Sequence, residues 1–272
     1  MKKIRLDQCI FDRKLCDSRE KAKVLVMAGD VYVDGQKVTK PGQAVAEDCN
    51  IEIRGEKLRY VSRGGLKLEK ALDTFGIDPK DFVCIDCGAS TGGFTDCLLQ
   101  RGAKHVYAVD VGYGQLAWSL RCDERVTVME RTNARSVTPD MFPEKMDMAV
   151  MDMSFISLRL VLPAVRALLR EHGCVACLVK PQFEAGREKV GKKGVVRDPA
   201  VHREVLENFI AAAKEIGFVV RGMTYSPVRG PEGNIEYLAW LSLDGENAEI
   251  DCADIVEQSH ADLERGRQEG DE

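Results

Sequence analysis

Residues 83–115, VCIDCGASTGGFTDCLLQRGAKHVYAVDVGYGQ, constrain the fold more than any other stretch of the chain. An apolar run ends at Asp86, and the small-residue loop Gly88-Ala89-Ser90-Thr91-Gly92-Gly93 follows. The spacing then predicts a helix over 94–100 and a second apolar run that ends at Asp110. Strand, loop, helix, strand is the repeating unit of a parallel sheet, and it builds a crevice at the carboxyl ends of its strands. Other apolar runs extend the pattern, predicting strands at 82–86, 105–110, 126–129, 147–152 and 174–179, with the clearest intervening helix at 157–171. A helix over 199–216 starts near Pro199, and the runs 217–224 and 235–243, split by SPVRGPEGN, predict a terminal antiparallel hairpin. The polar, glycine-rich segment 184–198 reads as mobile. The fold class is therefore α/β, with a Rossmann-like sheet covered by helices on both faces.

Residues 1–60 read as a separate small unit. Asp17 or Ser18 caps a helix that runs through Met27 and ends at Gly29; Ile4 to Cys9 before it reads as one or two helical turns. VYVDGQKV is a hairpin with its turn at Asp34-Gly35, Pro41-Gly42 marks another turn, and residues 50–53 a further strand. Residues 55–62 link this unit to a large one over 61–244, and an acidic tail over 245–272 is expected to be partly disordered. The formal charge of -5 hides an asymmetry, with 13 Lys/Arg against 10 Asp/Glu in 1–60, 24 of each in 61–244, and 2 against 10 in the tail. A nucleic-acid partner is thus not excluded, because local charge decides it. Arg5, Lys14, Arg19, Lys21 and Lys23 are candidates to contact phosphates, the alternative being that they only solvate the unit. Ten cysteines in a chain this long suggest a reducing cytoplasm rather than a disulfide framework. No apolar run approaches the ~18 residues of a membrane span, and the charged N-terminus does not read as a signal peptide.

The loop after Asp86 lacks the GxGxxG fingerprint and any Walker lysine, which argues against a dinucleotide or a nucleoside triphosphate. Asp110 ends the next strand, where a carboxylate can accept both ribose hydroxyls. Together they point to an adenosine ligand without a phosphate tail, and S-adenosylmethionine fits. Its amino-acid half would lie along Gly88, Ser90, Thr91, Gly92, Gly93 and Phe94, its amino end anchored by Asp86 directly or through water, its ribose at Asp110 and Val111. The alternative is a tight turn in a non-catalytic α/β protein. A second constellation comprises Lys67, Asp152, Lys180 and Glu236: the first precedes the first core strand, the next two end strands, and the last begins one. They suit a crevice at the strand ends, or a structural ion-pair network.

Several features carry less. Cys84/Cys87 and Cys174/Cys177 mimic zinc or redox spacing but fall in strands, where positions three apart face opposite ways, so buried thiols and no metal are expected. Phe183 is a candidate to stack on a base or methionine moiety, or to pack the loop. Tyr113 and Trp118 are candidates to flank adenine, with Trp118 more at home in a core. Arg187, Lys189, Lys192 and Lys193 are candidates to close over RNA, and Arg63, in the turn Arg63-Gly64-Gly65, to couple RNA capture to the crevice.

The stretch RLDQCIFDRKLCDSREKAKVLVMAGDVYVDGQKV resembles the S4 RNA-binding domain. With it, SRGGLKLEKAL, DCGASTGGFTDCLLQRGAKHVYAVDVGYGQLAW, MDMSFISL and LVKPQFEAGR resemble the TlyA-type haemolysin proteins, in which an S4 domain is joined to a ribosomal RNA methyltransferase domain of the FtsJ/RrmJ class. The resemblance implies a Rossmann-like S-adenosylmethionine-dependent methyltransferase fold with a small N-terminal S4-like α+β domain. It implies a Lys-Asp-Lys-Glu tetrad for ribose 2′-O methylation, whose positions match Lys67, Asp152, Lys180 and Glu236. It also implies cytidines of 16S and, in some members, 23S ribosomal RNA as substrates and ribosomal RNA or subunits as partners; a cytoplasmic monomer or weak homo-oligomer is the accompanying expectation, the sequence itself leaving the oligomeric state open. Two other readings compete: a non-catalytic RNA-binding or ribosome-assembly protein, and a membrane-active lysin, for which no span or barrel pattern exists.

Overall fold

The computed structural model describes residues 3–16, 18–53 and 59–268. It divides into two compact units, Met1–Arg59 and Tyr60–Glu272. Asp17, one of the two expected caps, and residues 55–58 of the expected linker lie outside the described residues.

In the small unit, Lys3–Arg5 is a strand paired antiparallel with Ala44–Ala46, and the helix Leu6–Asp12 follows it, so of the turns expected over 4–9, Ile4 and Arg5 are extended and Leu6 to Cys9 helical. The second helix, Arg19–Ala28, starts where the Ser18 side chain accepts from the Lys21 amide and ends at Gly29. Val31–Val33 and Gln36–Val38 form the hairpin. Both turn residues, Asp34 and Gly35, have positive φ (49° and 81°), which matches a two-residue turn to the twist of its strands. Ile51–Ile53 pairs with the other edge of Val31–Val33, and Leu6, Ile10, Ala22, Val26 and Val31 are buried beneath.

The large unit is a seven-stranded sheet. Its strands are β1 Val83–Cys87, β2 His105–Val109, β3 Val126–Met129, β4 Met146–Met151, β5 Leu169–Val179, β6 Val219–Tyr225 and β7 Tyr237–Ser242. They lie in the order β6-β7-β5-β4-β1-β2-β3, and only β7 runs against the rest. Every residue of β1 is buried because helices cover both faces, which explains why it reads as a continuous apolar run. The helices are α1 Gly64–Phe75, α2 Gly93–Gln100, α3 Trp118–Arg121, α4 Leu162–Leu168, α5 Pro181–Glu184, α6 Pro199–Ile216 and α7 Cys252–Gln268. Leu68 and Leu72 of α1 and Leu98 of α2 pack with Cys84 and Met148 on one face. Leu162, Val165, Val205 and Phe209 pack with Ile85 and Met151 on the other.

Three segments differ in detail from their sequence reading. The helix expected over 157–171 is shorter: a single tight turn at Leu158–Leu160 precedes α4, and β5 begins at Leu169. Pro163 explains the break, since without an N–H it fits only the first turn of a helix. The tail, expected to be partly disordered, carries α7, which places Cys252, Val256 and Ser259 in buried positions, with Asp251 accepting from the amides of Ala253 and Asp254 at its start. The segment 184–198 is fastened: Val195 and Val196 are buried, and the Asn234 side chain donates to Gly194 O and accepts from Val196 N.

Candidate active site

Strand order reverses between β1 and β4, so the loops leaving their carboxyl ends diverge and leave a crevice. Gly88 opens the first loop with φ 85°, and a Cβ there would lie 2.7 Å from Asp152 O, so only glycine lets the loop close on the end of β4. Gly93, which begins α2, packs as closely on α1: its Cβ would lie 2.9 Å from Gly65 N and 3.1 Å from Gly64 Cα. The Arg63-Gly64-Gly65 turn thus seats α1, with Lys67, against the glycine loop.

Asp86 is fully buried. Its Oδ2 accepts from the Thr95 amide (2.9 Å) and hydroxyl (2.7 Å), while Oδ1 has no hydrogen-bond partner among the described residues. Burial pushes this carboxyl up to about 7, against the Thr95 hydrogen bonds and with help from the charges of Asp152 and Asp110. Asp110 holds the loop by accepting from Ser90 N (2.8 Å) and Gly112 N (2.7 Å). Ser90, Thr91, Val111 and Tyr113 are exposed around it. Phe94 differs: its side chain is 3% exposed and packs in the core with Leu98. Trp118, assigned to a core by its type, is 77% exposed, because Leu116 and Leu120 take the inward positions of that segment.

The four charged residues form two ion pairs. Lys67 Nζ lies 2.5 Å from Glu236 Oε2, with side chains 9% and 1% exposed. Lys180 Nζ lies 2.5 Å from Asp152 Oδ1, outside hydrogen-bonding direction, and donates to Ser154 Oγ at 3.2 Å. Gln182, two residues after Lys180, donates to Glu236 Oε1 at 3.3 Å, so α5 and the residue before it touch both pairs. Sequence reasoning missed Gln182, Ser154, Thr95 and Glu184, which are ordinary polar residues with no spacing signal. It also missed Phe155, which is 91% exposed with φ 64°, its ring 5.2 Å from that of Phe183.

The other candidates are dispersed. Arg5 and Arg19 both bind the buried Asp7 and hold its carboxyl down to about 2, chiefly through the Arg5 hydrogen bonds. Lys23 lies 3.6 Å from Glu20, and Lys189 is committed to Glu204. Lys14, Lys21, Arg63 and Lys192 are exposed. Cys84 and Cys87 enter opposite core clusters, and burial pushes both thiols up. A cavity of about 650 Å³ opens at the amino ends of β4 and β5, away from these carboxyl-end groups. Its Arg170 and His172 are paired with Asp147 and Asp244, leaving it little chemistry to offer.

Residues 60–243 match the family described as FtsJ-like methyltransferase, and residues 4–48 match the S4 domain. The chain is 52% identical to YqxC of Bacillus subtilis, covering 96% of each. It is 46% identical to the 16S/23S rRNA (cytidine-2'-O)-methyltransferase TlyA of Mycobacterium tuberculosis, over 88% of this chain and 90% of that one. Among solved structures, a Streptococcus thermophilus protein known under the name hemolysin superposes with a TM-score of 0.79 at 47% identity, covering 98% of this chain and 99% of its own.

Proposed function

The chain belongs to the FtsJ-like methyltransferase family, and from that premise we propose that it transfers a methyl group from S-adenosylmethionine to a ribose 2′-OH in ribosomal RNA, on cytidine of the 16S or 23S molecule or both. The observation that carries the reading is the pair of ion pairs at the crevice, Lys67–Glu236 and Asp152–Lys180, beside a loop whose buried Asp86 keeps one oxygen unpartnered among the described residues.

The residues present fit the methyl donor. Asp86 Oδ1 is an acceptor for an ammonium group or an intervening water. Asp110, though it holds Ser90 and Gly112, keeps a further lone pair on each oxygen for ribose hydroxyls. Val111 and Tyr113 offer exposed apolar surface to adenine. When bound, S-adenosylmethionine supplies an electrophilic methyl group on a positive sulfonium.

The chain's own residues then align the nucleophile. Lys180, held by Asp152 and Ser154, orients the 2′-OH and receives its proton after passing one of its own to solvent. Asp152, beside Gly88, places negative charge near the sulfonium. Lys67, fixed by Glu236, holds the substrate, and Gln182 keeps Glu236 in place. In-line placement at van der Waals distance accounts for much of the rate gain in such a displacement. The small unit supplies RNA affinity through exposed Lys14 and Lys21, with Arg5 and Arg19 contributing what charge Asp7 leaves them.

The test is incubation with tritiated S-adenosylmethionine and separated 30S and 50S particles, with Lys180→Ala as control. Ribose label that disappears in the variant is the expected result. Donor binding without transfer to either particle or to free RNA would refute the substrate assignment. One relative carries the name Hemolysin A; among the described residues no helix is long and apolar enough to cross a membrane, and a liposome leakage assay tests lysis directly.

A further inference from the structure

We infer that Glu184 is a positioning residue for the proposed reaction: it clamps the loop after β4 onto α5 and thereby sets Asp152 against Lys180. This rests on the reading of those two residues given above. Two stretches lie side by side in the crevice wall, residues 152–158 after β4 and residues 180–184 after β5. They meet three times. Lys180 contacts Asp152 and Ser154, the ring of Phe183 lies against that of Phe155, and the Glu184 carboxylate accepts from Ser157 Oγ at 2.6 Å and Leu158 N at 2.8 Å. The first contact is the candidate chemistry. The second is a loose aromatic contact with one ring almost wholly exposed. The third is the only one of the three in which both oxygens of a carboxylate are committed to the opposite stretch.

The loop needs such a hold. Phe155 sits at φ 64°, in the left-handed region that a bulky side chain avoids, and a strained residue persists only where its surroundings over-determine it. Ser154 is held on one side by Lys180, and Ser157 and Leu158 on the other by Glu184. Leu158 also begins the tight turn Leu158–Leu160, so its amide is a donor that the turn itself does not satisfy, and the carboxylate caps it. Burial raises the Glu184 carboxyl above its ordinary value, as expected for a group enclosed between two segments rather than facing water. Released from Glu184, the loop would relax at Phe155 and carry Asp152 off the Lys180 ammonium.

The test uses the full chain with Glu184→Ala, Glu184→Gln and Ser157→Ala. A glutamine can preserve both bonds, its carbonyl accepting from Leu158 N and its amide donating to Ser157 Oγ, whereas alanine removes both. Three quantities are read: amide hydrogen exchange across residues 153–158, the dissociation constant for S-adenosylmethionine, and kcat and KM on ribosomal particles. In Glu184→Ala the Leu158 amide should exchange faster and kcat should fall by about 10²-fold, the scale of a displacement near 1 Å at reacting groups. Donor affinity should fall far less than kcat, since Asp86 and Asp110, proposed to hold the donor, bond to Thr95, Ser90 and Gly112 and not to Glu184. Glu184→Gln should recover most of kcat, and Ser157→Ala should fall between.

Faster exchange in Glu184→Ala with an unchanged kcat would overturn the inference. So would a Glu184→Gln variant as slow as the alanine variant, or a kcat loss matched by an equal loss of folded protein. Wild-type protein that transfers no methyl to any RNA would instead refute the proposed function, and the exchange measurement would still show whether the clamp exists.

Discussion

Lys67 and Glu236 offer the sharpest separation between a catalytic and a structural use of charge. Their side chains are 9% and 1% exposed and their charges 2.5 Å apart, so neither ion has water to fall back on. Removing one partner leaves the other buried and uncompensated, at a cost of about 3–5 kcal/mol. An exposed pair such as Lys23–Glu20, 3.6 Å apart and 40% and 79% exposed, should contribute no more than about 1 kcal/mol. Lys67→Met should therefore cost about 3 kcal/mol, at the low end because Gln182 still donates to Glu236. Glu236→Leu should cost more, since it strands both the Lys67 ammonium and the Gln182 amide. The double variant replaces the pair by apolar groups of similar volume and should return to within about 1–2 kcal/mol of wild type. Both tryptophans, Trp118 and Trp240, lie in the large unit, so fluorescence-monitored urea unfolding reports that unit alone. With slopes of about 2–3 kcal/mol per M, each single variant should lower the midpoint by more than about 1 M. Methyl transfer should be lost in all three. Single variants costing under about 1 kcal/mol would refute the burial argument, and a double variant that regained both stability and transfer would show the pair to be structural only.

Three further outcomes follow from individual groups. Because the Asp86 carboxyl titrates near 7 in the free protein and its ionised form is the one that attracts an ammonium, S-adenosylmethionine affinity should fall as pH drops below 7, by up to tenfold per unit; calorimetry showing the same dissociation constant at pH 7 and pH 5.5 would rule this out. Burial lowers His202 to about 4 from an ordinary 6.5, so the neutral ring is the folded form; the stability it lends is complete above pH 6.5 and is lost as pH falls toward 4. That loss is about 3 kcal/mol at most, and a urea midpoint that stays flat across this window would contradict it. Gly88→Ala should cost at least about 1 kcal/mol from its positive φ and displace Asp152, whose carbonyl stands in the way of the new methyl, so transfer should fall more than stability does; a variant with wild-type kcat would refute that placement.

How far a sequence discloses such a site depends on whether each feature has a local cause. The strands of the large unit were legible because a parallel strand buried on both faces is an unbroken apolar run, and the loop after Asp86 because small residues crowd where backbone must close on backbone. Lys67 and Glu236 are 169 positions apart, and no local pattern distinguishes a pair from two separate charges; only the α1 seat on Gly93 and the reversed β7 bring them together. Phe94 reads as a ligand contact because it adjoins the glycine loop, yet its spacing to Cys97 and Leu98 is that of an inward helical face, and its side chain packs there. The helix in the tail was missed for a related reason. Counting charges conceals that Cys252, Val256, Ser259 and Leu263 recur at helical spacing along one stripe. Arg5 and Arg19 show the deeper difficulty. As cations in a basic region they are natural phosphate ligands, yet each is bound to Asp7, whose burial is a property of the folded unit and invisible in its neighbours. A cation's freedom to bind RNA is set by the anions the fold places beside it, so exposed Lys14 is a better first target for weakening RNA capture than the two arginines, whose removal would also expose the small unit to the cost of an unpaired buried carboxylate.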